Sequence, residues 1–321
     1  MLLKSWQRAN LFSILLLPFS ALYWCLLNAH RALYLFGLKP RHKATLPTIV
    51  VGNLTVGGTG KTPLVIHLVE LLERQGYKPG VVSRAYKSSK QHGSFIVEPH
   101  MAASMVGDEP SLIARRTGVP VAIGANRHDS INLLQGQCDV VVCDDGLQHW
   151  PLEADVRLCI SDASASGNSF LLPAGPWREL PSRMATMDIV VARGAEKDQP
   201  KQFFMQLEPS QPVNLVSQNE VFQRQQTIHA VAGIAQPKRF FDSCKALGFS
   251  IVEHAFSDHH QFVASDLDFD QDTVLMTEKD AVKCIEFAKP SYWYLPVKAK
   301  LSADFDAVLL TTLNKAIKTR S

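Results

Sequence analysis

None of the six cysteines, Cys25, Cys138, Cys143, Cys159, Cys244 and Cys284, forms a Cys-x-x-Cys pair. This excludes the usual zinc and dithiol motifs and leaves no disulfide framework. Cys143 and Cys159 lie in apolar, strand-like runs and read as small core residues, in keeping with a reducing compartment. An excess of one charge is also missing. With 33 Lys and Arg against 30 Asp and Glu, the net charge of +3 is too mild for a nucleic-acid footprint. No RNP, zinc-finger or basic-zipper pattern appears, so no nucleic-acid partner is expected. Internal repeats and low-complexity tracts are absent. What remains is an ordinary globular composition, 46% hydrophobic and 20% charged over 321 residues, long enough for two domains.

The most specific segment is Thr55-Val56-Gly57-Gly58-Thr59-Gly60-Lys61-Thr62, which follows the apolar run Thr48 to Val51 and precedes a helical pattern starting near Pro63. Strand, glycine-rich turn and helix are the context in which a phosphate loop works. The glycines let backbone N–H groups point inward, and the helix N-terminus adds partial positive charge. Lys61 is placed to reach the β- and γ-phosphates of ATP and Thr62 to hold Mg²⁺. Thr55 stands where the general pattern has its first glycine. The guanine-recognition pattern N-K-x-D is missing, since Thr277-Glu278-Lys279-Asp280 has the wrong spacing.

Apolar, β-branched runs at 80–83, 119–123, 139–143, 156–160 and 188–192 alternate with helical patterns, as strands buried on both faces of a parallel sheet do. The expectation is a doubly wound, mainly parallel α/β domain over residues 41–200. Asp198 to Pro212, polar and proline-containing, reads as a linker. A smaller α/β domain over 201–321 follows, with strands at 229–233, 249–252, 273–277 and 292–295. Its final helix, 304–318, is placed to pack back on the first domain.

Residues 1–40 form a separate, apolar unit. Leu11 to Leu27 is interrupted only by Ser13, Pro18 and Ser20, with Lys4 and Arg8 before it and Arg31, Lys39 and Arg41 after. A signal peptide has this charge pattern but would export an ATP site to a compartment without ATP. A spanning helix needs about 20 apolar residues, more than this run supplies. A buried core helix is a further reading. An interfacial helix, with Trp6, Tyr23, Trp24 and Tyr34 at headgroup level, fits best and predicts a monotopic anchor on the cytoplasmic face of the membrane.

Several polar residues stand where chemistry is possible. Asp144-Asp145 closes a strand, where a Mg²⁺ ligand belongs beside a phosphate loop, although Asp-Asp-Gly is equally a turn signal. Gln148 and His149 follow. Asp108 reads either as the N-cap of a helix beginning near Ser111 or as a carboxylate that takes a proton from a substrate hydroxyl. His259 and His260 follow a strand of the second domain and read as structural or catalytic. Arg84, Arg127 and Arg178 are surface arginines or bidentate phosphate donors.

Together these segments resemble the tetraacyldisaccharide 4′-kinases of lipid A synthesis. The resemblance is carried by Val51 to Pro63, Gly107-Asp108-Glu109-Pro110, Asp144 to His149, Leu172 to Pro176 with Arg178-Glu179, Phe256 to His259, and Thr277 to Ala281. Within that family Thr55 is expected. Where the family reads S-R-G-Y-G, this chain has Ser83-Arg84-Ala85-Tyr86-Lys87, which loses both glycines. The resemblance implies ATP-dependent phosphorylation of the 4′-hydroxyl of a tetraacyl disaccharide 1-phosphate at the inner membrane. It implies Asp108 as the base, oriented by His259, and Asp144 and Asp145 at the metal. Arg84, Tyr86, Arg127, Gln148, His149, Arg178 and Glu179 are implied to line the nucleotide and sugar-phosphate sites. The rival reading is a membrane-attached phosphate-loop ATPase without a lipid acceptor.

Overall fold

The computed structural model describes residues 6–84, 93–162, 166–194, 202–217, 219–223, 227–270 and 272–320. The chain opens with α1 (Leu11–Leu15) and α2 (Leu17–Leu35). Asn10 caps α1 in a reciprocal box with Ser13, and Pro18 sits in the first turn of α2, where a missing N–H is harmless. Only Ser20 of α2 is buried, while Leu15, Phe19, Leu22 and Leu26 are each more than half exposed, which removes the buried-core reading. Among the described residues, no helix is long and apolar enough to cross a membrane.

The first α/β unit follows in the order β1 (His42–Lys43), β2 (Thr48–Asn53), α3 (Lys61–Arg74), β3 (Pro79–Arg84), β4 (Phe95–Ile96), α4 (Ala103–Val106), α5 (Asp108–Thr117), β5 (Val121–Gly124), α6 (Arg127–Leu133), β6 (Val140–Cys143), β7 (Leu152–Glu153), β8 (Val156–Asp162), β9 (Ile189–Arg193) and β10 (Gln202–Pro209). Then come β11 (Val213–Asn214), β12 (Ile228–Ala232), α7 (Pro237–Ala246), β13 (Ile251–Ala255), β14 (Thr273–Thr277), α8 (Glu278–Ala281), β15 (Tyr292–Leu295), β16 (Val297–Lys300) and α9 (Ala303–Lys318). The larger sheet runs β16-β10-β9-β8-β2-β6-β3-β5-β4, parallel except at its two edge pairs. Every residue of β2 and β6 is buried, as their unbroken apolar runs require. The β2–α3 crossover leads to β3, and β6 inserts between β2 and β3 while β8 lies on the other side of β2. The strand order therefore reverses at β2, and the crevice beyond its carboxyl end is where such sheets bind ligands.

The linker expected over 198–212 is corrected by β10. Residues 202–205 pair with β9 and 206–209 with β16. Phe203 and Met205 alternate inward into the core, and Pro209 stands at the strand end, where the loss of its N–H is tolerated. Strand β16 and helix α9 also return to this sheet. Phe305, Leu309 and Leu313, spaced four apart on one face of α9, are fully buried in the core that holds Leu64, Leu68 and Phe203. Phe305 meets Phe203 edge-on at 5.6 Å. Phe305→Ala should lower stability by about 3–5 kcal/mol, the usual cost of emptying a core aromatic site. A urea unfolding midpoint that stays in place would contradict this packing.

The smaller sheet runs β11-β15-β14-β12-β13, parallel except at β11. Helix α7 covers one face through Phe240, Phe241 and Cys244. Helix α8 follows β14 directly and abuts α5 of the larger unit, so the amino end of α5 lies at the boundary between the two sheets.

Candidate functional site

The loop after β2 is shaped by Gly57 (φ 119°) and Gly60 (φ 92°), both in the left-handed region that glycine adopts without a Cβ penalty. Thr55 needs no such freedom, because it bridges Trp177 in extended form while the Val56 N–H donates to the Pro176 carbonyl at 2.8 Å. The 171–178 segment thus supports the loop from below. Gly58 approaches Ala235 of the second unit, and the Thr59 hydroxyl is buried without a partner. Helix α3 starts at Lys61, two residues before the expected Pro63, so Lys61 and the half-buried Thr62 form its first turn. The Lys61 ammonium donates to Asn53 Oδ1 at 3.1 Å and lies 3.6 Å from the Asp145 carboxylate.

Asp144 and Asp145 follow β6, next to the loop, and their environments diverge. Asp144 is buried, with Oδ1 lacking any partner and Oδ2 accepting from Ser83 at 3.4 Å. Burial, and then the nearby Glu109 charge, push its carboxyl up to about 6. At Asp145 burial acts in the same upward sense, but Lys61, Arg178 and Arg127 outweigh it and hold the carboxyl below its ordinary range. Asp145 has φ 49°, an unusual backbone state for a non-glycine residue that aims its side chain at Lys61 and Arg178. Buried oxygens of Asp144 and Thr59 lack partners, and they and the Thr62 hydroxyl are hard oxygen donors of the kind that suits a divalent cation such as Mg²⁺.

Asp108 is the first residue of α5, and the N-cap is Gly107 (φ 99°, ψ 151°). The capping reading is therefore corrected: no side-chain cap forms, because a glycine in that conformation begins the helix and frees the carboxylate. Its Oδ2 lies 3.0 Å from His259 Nδ1, across the boundary between the sheets. His259 has φ 59° and anchors its N–H on the Gly233 carbonyl at 3.2 Å. Glu109, the next residue, pairs with Lys279 at 2.7 Å. Burial raises its carboxyl, but the charges of Lys279, Lys61 and His259 together bring it below the ordinary value. The helix that begins at Asp108, α5, packs against α3, the helix that begins at Lys61, and Glu109 feels the charges of both Lys61 and His259.

The family profile described as tetraacyldisaccharide-1-P 4′-kinase matches residues 12–314. This chain belongs to the tetraacyldisaccharide 4′-kinase family. It is 44% identical over 323 residues to a tetraacyldisaccharide 4′-kinase of Shewanella sp. (strain W3-18-1), covering 98% of this chain and 95% of that one. It is 43% identical over 314 residues to that of Pseudomonas paraeruginosa, covering 95% of each. A crystal structure of LpxK from Aquifex aeolicus in complex with ATP superposes with a TM-score of 0.81 at 28% identity, covering 94% of this chain and all of that one.

In this 4′-kinase family member the remaining expected residues fall into two groups. Arg178 Nη1 lies 3.3 Å from Asp145 and donates to Gln148 Oε1 at 3.4 Å. Gln148 Nε2 donates to Glu179 at 3.0 Å and to the Asn53 carbonyl at 3.1 Å. On the opposite side, Arg127 is buried and donates to the carbonyls of Gly124 and Asp144, each at 3.2 Å. His149 has a buried, unpartnered Nε2. Burial, aided by Arg127 and Arg84, pushes its ring down to about 4, so it is neutral at pH 7. Arg84 ends β3 and is exposed, whereas Tyr86 and the altered 85–87 segment lie outside the described residues. Asn53 and Arg183 join the site of this 4′-kinase although neither stands out in the sequence. Asn53 touches Lys61 and Gln148, and its signal was a buried amide ending an apolar strand. Arg183 pairs with the buried Glu179 at 2.6 Å and stacks on Trp150 at 4.1 Å, with no signal beyond its four-residue spacing from Glu179.

Proposed function

We propose that the chain transfers the γ-phosphate of ATP to the 4′-hydroxyl of a tetraacyl glucosamine disaccharide 1-phosphate, giving the bis-phosphorylated lipid A precursor. The observation that carries this reading is the Asp108–His259 pair at 3.0 Å, at the start of the helix that packs on α3 of the phosphate loop. A hydroxyl acceptor needs a carboxylate within reach of its proton, and a histidine that contacts the carboxylate from the other sheet fixes its direction. In this reading Asp108 Oδ takes the 4′-hydroxyl proton as the oxygen attacks the γ-phosphorus, and the ADP oxygen leaves. Lys61 and Arg178 bind the phosphate oxygens and neutralise charge that develops on them. Thr62 and Asp144, with Asp145 adjacent, would hold Mg²⁺, which supplies further neutralisation of the triphosphate when bound. Residues 41–200, with β10, β16 and α9 returning to them, form the nucleotide unit, and the smaller unit brings His259. Approach of the two excludes water from the phosphoryl group.

The membrane assignment rests on α1 and α2. Leu15, Phe19, Leu22 and Leu26 form one exposed stripe at helical spacing, with the exposed Arg8, Lys39 and Arg41 available to anionic headgroups. The same helix is tied to the site, since the Ser20 hydroxyl donates to Leu171 at 2.9 Å and Tyr23 donates to the Arg178 carbonyl at 2.9 Å. Deleting the helix would therefore disturb both functions at once. Leu22→Asp with Leu26→Asp separates them: we expect the protein to move from the membrane to the soluble fraction with an unchanged unfolding midpoint. Retention on membranes would remove the anchor.

The reading of the reaction is tested by incubating the protein with ATP and a tetraacyl disaccharide 1-phosphate in detergent micelles, and locating the new phosphate by ³¹P NMR. A monoester at the 4′ position is expected. ATP hydrolysis with an unmodified lipid would favour the ATPase.

A further inference from the structure

Thr277-Glu278-Lys279-Asp280 fails as a guanine-recognition pattern, yet all its side chains act at or behind the boundary with α5. Glu278 pairs with Arg116 at 2.6 Å and Lys279 with Glu109 at 2.7 Å, so both ends of α5 are pinned to α8. Asp280 is fully buried and accepts from the Thr277 hydroxyl at 2.6 Å and from the Gly233 N–H at 2.8 Å. Gly233 also holds the His259 backbone. Asp280 forms a 2.6 Å ion pair with Lys283, whose side chain is only 2% exposed.

Lys283 has three N–H groups and two close partners, Asp280 and the His260 carbonyl at 3.0 Å. The ammonium also lies 4.9 Å from the centre of the Phe262 ring and 4.0 Å from Asp108 Oδ2, the same oxygen that His259 contacts. A structural ion pair would be complete with Asp280 alone, and burying it adds little stability over an apolar pair. The geometry instead brings two cationic or donating groups from the smaller unit onto one oxygen of Asp108. A 4.0 Å approach has room to shorten when substrate closes the site, as catalytic contacts commonly do.

We propose that Lys283, oriented by Asp280, is a positioning residue for phosphoryl transfer, holding the Asp108 carboxylate with His259 so that it faces the acceptor hydroxyl. This rests on the reading of Asp108 as the base. The test is a comparison of Lys283→Gln and Lys283→Arg, each alone and in the Asp108→Ala background, by kcat, KM for ATP and thermal unfolding. Gln removes the charge and keeps an N–H donor on a side chain one atom shorter. We expect K283Q to lose about 10- to 100-fold in kcat, the scale of misplacing a reacting group, with KM for ATP unchanged. K283R should recover most of that loss, and in the Asp108→Ala background K283Q should cost nothing further, since the two residues act as one unit. Wild-type kcat in K283Q, or the same loss added to that of Asp108→Ala, would overturn the proposal. So would loss of cooperative unfolding in both variants, which would make Lys283 structural. The wild type, run alongside, separates the failures: no lipid phosphorylation there removes the reading of function itself, and an active Asp108→Ala removes the base. An active wild type, an impaired Asp108→Ala and a silent K283Q remove this inference alone.

Discussion

Lys61→Ala is expected to reduce phosphoryl transfer by about 10³-fold or more, the upper range for removing a group that meets developing transition-state charge. The ammonium is not a free surface charge. It is aimed back over its own loop by Asn53 at 3.1 Å and Asp145 at 3.6 Å, which fixes it beyond the carboxyl end of β2. Without it Asp145 keeps Arg178 as its near cation, and the loop keeps its N–H groups, its tie to Pro176 and its glycines. The variant should therefore fold with an unchanged unfolding midpoint. Lys61→Arg should not restore the rate, because a planar fork cannot occupy the place of a compact ammonium between Asn53 and Asp145. Steady-state rates of both variants, beside their unfolding curves, check this. Near-normal turnover in Lys61→Ala would remove the phosphate-loop assignment.

Asp108→Ala is expected to lower kcat by about 10²- to 10⁴-fold, the range for loss of a positioned base, while ATP affinity measured by calorimetry stays near that of the wild type. The second half of that expectation carries the distinction. Asp108 contacts His259 and approaches Lys283, both from the smaller unit, whereas the carboxylate paired with Lys61 is Asp145. If ATP affinity fell together with kcat, Asp108 would belong with the nucleotide or metal rather than with the acceptor. Since Gly107 and not Asp108 caps α5, the substitution removes no helix cap and should leave the fold intact.

The β2–loop–α3 unit was legible in the sequence because three independent signals follow one another directly: a continuous β-branched run, glycines where left-handed backbone is needed, and an amphipathic helix. The parallel core strands were legible for a related reason. Strands buried on both faces carry apolar residues throughout, which solvent-exposed strands do not. β10 was hidden because only Phe203 and Met205 are fully covered, Leu207 being half-buried, and its flanking prolines look like punctuation until the register shows Pro209 at the strand end. The two-residue strands β1, β4 and β7 carry too few residues to show a period.

The site divides in the same way. Lys61, Asp144 and Asp145 stand at the ends of recognisable strands or turns, where local pattern implies proximity. Asp108 and His259 come together only through the docking of one sheet on the other, a contact 151 residues apart in sequence that no local period encodes, and the family resemblance alone joined them. Asn53, Arg183 and Lys283 were missed for the opposite reason. Each is common in type and unremarkable in spacing, and its importance comes from what it touches when buried.

The central claim is that phosphate goes to the sugar hydroxyl rather than to water. The most direct measurement is the ratio of lipid phosphorylated to ATP consumed, with γ-labelled ATP, with and without the tetraacyl disaccharide 1-phosphate. The account predicts a ratio near one with the acceptor and negligible ATP consumption without it, because Asp108 is placed for a bound hydroxyl and closure of the two units excludes water. ATP consumption that proceeds at the same rate with or without acceptor, with label only in inorganic phosphate, would contradict it.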